Sequence, residues 1–318
     1  MTYVLLLIGF VLLIKGADYF VDGAAGIAKN FRIPSLLIGL TVVAFGTSSP
    51  EAAVSISAAV AGKTGIALGN VLGSNIFNIT FIVGASAIVY PLTVERQTIR
   101  KEIPLTLLAG AALAALALDN VFSLGQIPNL NRGDGIVLLL LFAVFLYYIF
   151  EVASASREKD VSIEETASMP MRKCTLLTIG GIIAIVAGGT LVVDSSIEIA
   201  RLFGLSETLI GLTIVAVGTS LPELITSIVA SLKKQSDIAV GNIVGSNIFN
   251  ILFILGASAV ISPLEVDPAL SFELLLNIVL TIILFLFSKS GRKITKIEGL
   301  MLVILYIAYT VFLVITKA

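Results

Sequence analysis

Histidine is absent from the 318 residues, and cysteine occurs once, at Cys174. The first absence removes the commonest general base, the usual zinc ligand and any H-E-x-x-H metalloprotease signature. The second excludes an internal disulfide and a thiolate metal cage. Charge is scarce as well, at 13% of residues, and Lys+Arg 20 against Asp+Glu 21 leaves no basic stripe of the kind that binds nucleic acid. With 57% hydrophobic residues and a mean hydropathy of +1.06, polar groups are too few to cover a soluble globule of this size. The composition predicts a polytopic protein of the lipid bilayer, with no cofactor and no obligate protein partner implied. The apolar stretch from Tyr3 to Ile14 has no Lys or Arg before it and its pattern continues past Lys15, so it is expected to be a retained first helix.

A spanning helix needs about 20 mostly apolar residues. That measure predicts ten segments, roughly 2–26, 34–61, 66–90, 101–118, 134–152, 175–200, 207–231, 237–262, 269–288 and 296–316. The expected organisation is an N-terminal five-helix half over residues 1–152, a polar linker over 153–174 and a C-terminal five-helix half over 175–318. Fifteen Lys and Arg lie in loops on one side, among them Lys29, Arg32, Arg100, Lys101, Lys233 and Lys234, against Lys63, Arg132, Arg201 and Lys317 on the other. The positive-inside rule makes the first side cytoplasmic and both termini extracytoplasmic. Asp18 is expected to pair with Lys15 one turn away, and Asp22 and Asp194 to be solvated near helix ends.

The two halves are copies. G-L-T-V-V-A-F-G-T-S-S-P-E from Gly39 to Glu51 returns 172 positions later as G-L-T-I-V-A-V-G-T-S-L-P-E from Gly211 to Glu223, and G-N-V-L-G-S-N-I-F-N from Gly69 to Asn78 returns as G-N-I-V-G-S-N-I-F-N from Gly241 to Asn250. Between 39–92 and 211–264, 32 of 54 positions agree without a gap, so the chain is a duplicated unit. An odd number of spans per unit makes the repeats cross the bilayer in opposite directions. Inverted repeats of this kind place a transporter's substrate site near the midplane. The fold class expected is therefore an all-α membrane protein of ten transmembrane helices in two inverted five-helix repeats. A duplicated scaffold without a pathway would not need a glutamate in the middle of both repeats.

Segment 34–61 would be about 40 Å long as one helix, against a bilayer core of about 30 Å, so it must tilt or break. Pro50 supplies a break, since it has no N–H for the carbonyl of Gly46; Pro222 does the same opposite Gly218. Interrupted helices at membrane depth mark binding sites, because freed carbonyls there need protein, water or an ion. Thr47, Ser48 and Glu51 cluster at spacings of three and four, as do Thr219, Ser220 and Glu223. Ser74 and Asn78, with Asn75 adjacent, form a second group, repeated by Ser246, Asn250 and Asn247. Serines, threonines and glycines in membrane helices also serve packing, but a mid-span glutamate costs at least about 2.5 to 3.5 kcal/mol and is functional by default. The set is all oxygen, which suits a hard cation such as Ca²⁺ or Na⁺ better than a transition metal. Two glutamates neutralise one Ca²⁺ or two Na⁺ equally well, which is a physical basis for exchange, and the two repeats predict one membrane site with two acidic walls.

At these residues the chain resembles the cation/Ca²⁺ exchanger superfamily, and within it the prokaryotic calcium/sodium antiporters related to Na⁺/Ca²⁺ exchangers. The resemblance covers essentially the whole chain, with 39–92 and 211–264 as the family's alpha-repeats. It implies a secondary active antiporter of a prokaryotic cell membrane, not an enzyme, whose transported partners are Ca²⁺ and Na⁺. It also implies that Thr47, Ser48, Glu51, Thr219, Ser220 and Glu223 line the cation sites. The carbonyls of Ala44 and Ala216, with Ser74, Asn78, Ser246 and Asn250, would complete them. Spans 1 and 6 would slide across the rest to alternate access. Some exchangers of the superfamily carry an aspartate where this chain has Asn250, so two acids rather than three are expected and a third Na⁺ would lack a compensating charge. Animal members insert a regulatory domain between spans 5 and 6, where about twenty residues stand here. A Ca²⁺/H⁺ exchanger using the same two glutamates is the alternative, since burial raises a carboxyl pKa. A passive channel would lack strict coupling, and an intramembrane protease would need a Ser–His dyad or G-x-G-D, neither of which occurs.

Overall fold

The computed structural model describes residues 2–118, 129–159, 169–202, 216–266 and 270–317. Most of the predicted linker, the first part of the span at 207–231 and the start of the second motif at Gly211 lie outside the described residues. The described chain is helical: α1 (Thr2–Phe31), α2 (Ser35–Thr47), α3 (Ser49–Val60), α4 (Thr64–Val89), α5 (Ile103–Ala117), α6 (Arg132–Lys159), α7 (Met171–Leu202), α8 (Ala216–Thr219), α9 (Leu221–Leu232), α10 (Ser236–Ile261), α11 (Ser271–Lys289) and α12 (Lys296–Lys317). Among the described residues, α1, α4, α6, α7, α10, α11 and α12 are long and apolar enough to cross a membrane, and α2 and α3, bent by 50° at the break between them, are long and apolar enough only when taken together. This is a multi-pass integral membrane protein. α5 has 15 residues, extended by a π-helical turn at Thr98–Glu102, and α9 has 12. Two two-residue antiparallel ladders tie helix ends together, pairing Leu92 with Ile294 and Asn129 with Glu265.

Local chemistry explains the helix ends. After α1, Arg32 takes the left-handed conformation (φ 54°). The Arg32 N–H then donates to the Lys29 carbonyl and the Ile33 N–H to the Ala28 carbonyl, which is a Schellman closure. Pro34 follows and cannot continue the helix. Gly62 and Lys234, equivalent in the two repeats, sit at the same left-handed position after α3 and α9 (φ 71° and 58°). Each is followed by a residue whose N–H reaches back five positions, Lys63 to Ala58 and Gln235 to Ala230.

The helices gather into two compact units, residues 1–50 with 146–245, and residues 51–145 with 246–318. Each unit draws helices from both sequence halves. In the first, α1 lies along α7 at backbone distance. A Cβ placed on Gly16 would stand 2.9 Å from the Ala184 Cβ, and one on Gly181 would stand 2.8 Å from the Gly16 carbonyl oxygen, so no side chain fits in the seam and van der Waals contact is made main chain to main chain. At the end of α9, Lys233 Nζ lies 2.7 Å from Asp18 Oδ1 and 2.7 Å from Asp22 Oδ1, and it also donates to the Asp18 carbonyl at 2.7 Å. The expected Lys15–Asp18 pair is thus replaced by a bridge from α9: the carboxylates of Asp18 and Asp22 share one face of α1, and tertiary packing brings a longer-range cation between them.

In the second unit α12 packs on α4, where Phe77 and Phe81 stack at 5.0 Å and Tyr306 meets Phe77 edge-on at 5.0 Å. Contacts of this geometry add about 1 kcal/mol each beyond area burial. The outer faces carry Leu300, Met301, Ile304, Val311 and Ile315 exposed, as a lipid-facing helix requires. α4 and α10, which hold the G-S-N-I-F-N blocks, are by contrast covered by protein over most of their length.

Candidate functional site

The helix break predicted at Pro50 and Pro222 is present in both repeats, at the residue two positions before each proline. Ser48 takes φ −81°, ψ 8° and Ser220 takes φ −90°, ψ 7°, so repeat-equivalent serines end one helix and begin the next in the same conformation. Glu51 and Glu223 stand in the first turns of α3 and α9. A helix N-terminus presents N–H groups that have no partner within the helix. Both glutamates are 1% exposed.

In the first unit the Ser48 hydroxyl donates to Glu223 Oε1 at 2.7 Å, an ordinary length for an O–H···O bond. Thr47 Oγ1 lies 3.0 Å from Asn242 Oδ1 and 3.1 and 3.3 Å from the carbonyls of Val43 and Ala44. The Ala44 carbonyl also receives the Ser48 N–H at 2.9 Å. Thr219 and Ser220 are buried beside Glu223 in sequence, and Ala216 opens α8. Asn242 is the hub: its Nδ2 donates to the Glu223 carbonyl at 3.4 Å and to Ser227 Oγ at 2.9 Å.

The second unit repeats that hub. Asn70 Nδ2 donates to the Glu51 carbonyl at 3.4 Å and to Ser55 Oγ at 2.9 Å. Ser74, Asn78, Ser246 and Asn250 are all buried here. The asparagines form a network in which Asn78 Nδ2 donates to Asn247 Oδ1 at 3.2 Å, Asn250 Nδ2 to Asn75 Oδ1 at 3.0 Å and Asn75 Nδ2 to the Asn247 carbonyl at 3.3 Å. Among the described residues the Oδ1 atoms of Asn78 and Asn250 and the Ser246 hydroxyl are buried without a hydrogen-bond partner. Exposed oxygen lone pairs in a dry interior are what a hard cation takes up. At these asparagines the helices widen: α4 is π-helical over Asn78–Ile82 and α10 over Phe249–Leu255. Single π segments within α-helices occur often at functional positions.

Sequence reasoning named the carboxylates, hydroxyls and two asparagines as ligands, noted Asn75 and Asn247 only as their neighbours, and passed over Asn70, Asn242, Ser55 and Ser227. Each of these is identical at a spacing of 172, the same signal that exposed Glu51 and Glu223. A uniform test of identity between repeats would have found all six.

Comparison with known proteins agrees with this chemistry. The profile of the sodium/calcium exchanger protein family matches residues 1–151 and 173–315. Sodium/calcium exchanger MaX1 of Methanosarcina acetivorans is 33% identical over 346 residues, covering 98% of both chains. Inner membrane protein YrbG of Escherichia coli is 40% identical over 274 residues, covering 83% of this chain and 81% of that one. Among solved structures, the sodium-calcium exchanger NCX_Mj superposes with a TM-score of 0.84 at 31% identity, covering 98% of each chain. The chain belongs to the sodium/calcium exchanger protein family.

Proposed function

We propose that this protein is a secondary active antiporter that exchanges Ca²⁺ for Na⁺ across the membrane by alternating access, with Glu51 and Glu223 as the carboxylates that offset the cation charge. One observation carries the reading: each repeat sets a buried glutamate at the start of a broken helix, with Ser48 bound to Glu223 at 2.7 Å. A Ca²⁺ ion or two Na⁺ ions cancel the same two negative charges, so either load leaves the buried groups neutral and lowers the cost of holding charge in a low-dielectric interior. Thr47, Ser48, Ser74, Thr219, Ser220 and Ser246, with the amide oxygens of Asn78 and Asn250 and the carbonyls of Ala44 and Ala216, supply the remaining oxygens. The names of MaX1 and NCX_Mj support Na⁺ as the counter-ion.

The same reading includes ten spans in two inverted five-helix repeats, with basic loops cytoplasmic and both termini outside. The 172-residue offset, the paired breaks at Ser48 and Ser220 and the loop charge bias support it. The experiment is ⁴⁵Ca²⁺ uptake into proteoliposomes driven by a Na⁺ gradient, with a pH gradient as the parallel arm. Glu51→Gln and Glu223→Gln should each abolish Na⁺-driven uptake. Full uptake by either variant would discard the glutamate assignment, and uptake driven only by the pH gradient would make protons the counter-ion.

A further inference from the structure

The four asparagines of the repeated G-S-N-I-F-N blocks divide into two kinds. Among the described residues, Asn78 and Asn250 keep a buried side-chain oxygen without a hydrogen-bond partner, whereas Asn75 and Asn247 present their side-chain oxygens to the N–H groups of the other two. We propose that Asn75 is a positioning residue that decides which end of the Asn250 amide is offered to the transported cation; this rests on the exchange function proposed above.

One atom of this network has a fixed role. The main-chain carbonyl of Asn247 can only accept, so the Asn75 end that faces it at 3.3 Å is the NH₂. Asn75 Oδ1 is then the atom left to meet Asn250 at 3.0 Å, and Asn250 must answer with its own NH₂. Reversing Asn250 would set oxygen against oxygen at that distance. The Asn250 oxygen is therefore held on the far side of the amide, buried and available as a ligand.

The two ends of an amide are alike in shape and opposite in polarity. One coordinates a cation and the other repels it. A carboxylate has two equivalent oxygens and needs no such control. Asn75 is accordingly required only while residue 250 is an amide, and this dependence separates positioning from ordinary packing.

The test is the Michaelis constant for Ca²⁺ in Na⁺-driven uptake, measured for Asn75→Ala alone and combined with Asn250→Asp. An amide free to seat either way offers its oxygen about half the time or less, so the Ca²⁺ KM should rise about twofold or more with little change in maximal rate. In the Asn250→Asp background, adding Asn75→Ala should leave KM where Asn250→Asp alone puts it. An equal rise in both backgrounds, or none in the native chain, overturns the proposal.

A second readout does not depend on transport. In protein labelled with ¹⁵N-asparagine, the Asn250 NH₂ resonance, assigned by its loss in Asn250→Asp, should carry a hydrogen-bonded, slowly exchanging signature. The near-isosteric Asn75→Asp retains an acceptor and should preserve that signature, whereas Asn75→Ala should abolish it. Loss in both variants would show that position 75 acts through packing alone and refute the inference. Failure of the unaltered chain to take up Ca²⁺ would defeat the exchange reading while the resonance still decides the role of Asn75.

Discussion

Replacing Asn242 by leucine should destabilise the protein more than the same change at Asn70, its counterpart in the other repeat. Asn242 is fully buried, and its side chain holds Thr47 at 3.0 Å, Ser227 at 2.9 Å and the Glu223 carbonyl at 3.4 Å. Leucine keeps the branched shape and removes every donor and acceptor. Hydrogen bonds between membrane helices average about 0.6 kcal/mol and those in water-soluble interiors about 1 kcal/mol, so three lost bonds come to about 2 to 3 kcal/mol. At about 2 to 4 °C per kcal/mol for a chain of this general size, the midpoint of thermal unfolding in detergent should fall by roughly 5 to 10 °C. Asn70 makes matching bonds to the Glu51 carbonyl and Ser55, but it is only part-buried, so water can replace what leucine removes and the fall should be less than half as large. The measurement is thermal unfolding of both variants followed by size-exclusion fluorescence. Equal shifts, or an unchanged midpoint for Asn242→Leu, would refute the reasoning that burial sets the cost of the orphaned partners.

Two further outcomes are expected. Asn250→Asp adds a third carboxylate to the oxygen set and should raise the Na⁺:Ca²⁺ ratio, read as a shifted reversal potential for exchange in proteoliposomes; an unchanged potential would show that residue 250 carries no ion-compensating charge. Lys233→Met removes the bridge to Asp18 and Asp22 and leaves two like charges one turn apart on α1. Because all three groups are part-exposed, the loss should be only about 1 kcal/mol, visible as a drop of about 2 to 4 °C that shrinks at high salt as screening weakens the native bridge.

Much of the candidate site is legible in the chain because duplication supplies an internal comparison. Glu51 and Glu223, the Pro50 and Pro222 breaks and the asparagines at 78 and 250 recur in register, and a buried charge in an apolar segment has few explanations other than function. The π-helical turns at Asn78–Ile82 and Phe249–Leu255 are not legible, since a widened turn has the same apolar composition as the α-helix around it. The Lys233 bridge escaped for another reason: a cation 211 residues from Asp22 is invisible to one-turn spacing rules, which favoured Lys15.

Composition and repetition alone determined that this chain lives in lipid, that it is a doubled unit and that its repeated polar residues offer oxygen without imidazole, because hydrophobicity, identity at a fixed offset and the lack of histidine are properties of the residue string itself. Tertiary structure decided which residues answer one another. Ser48 binds Glu223 and Asn75 orients Asn250, each across 175 positions and from opposite repeats. Each compact unit takes helices from both halves. The reason is geometric: a hydrogen bond needs a donor and an acceptor within about 3 Å, and only the packing of helices distant in sequence, through main-chain contacts such as Gly16 on Gly181, brings such pairs within that reach.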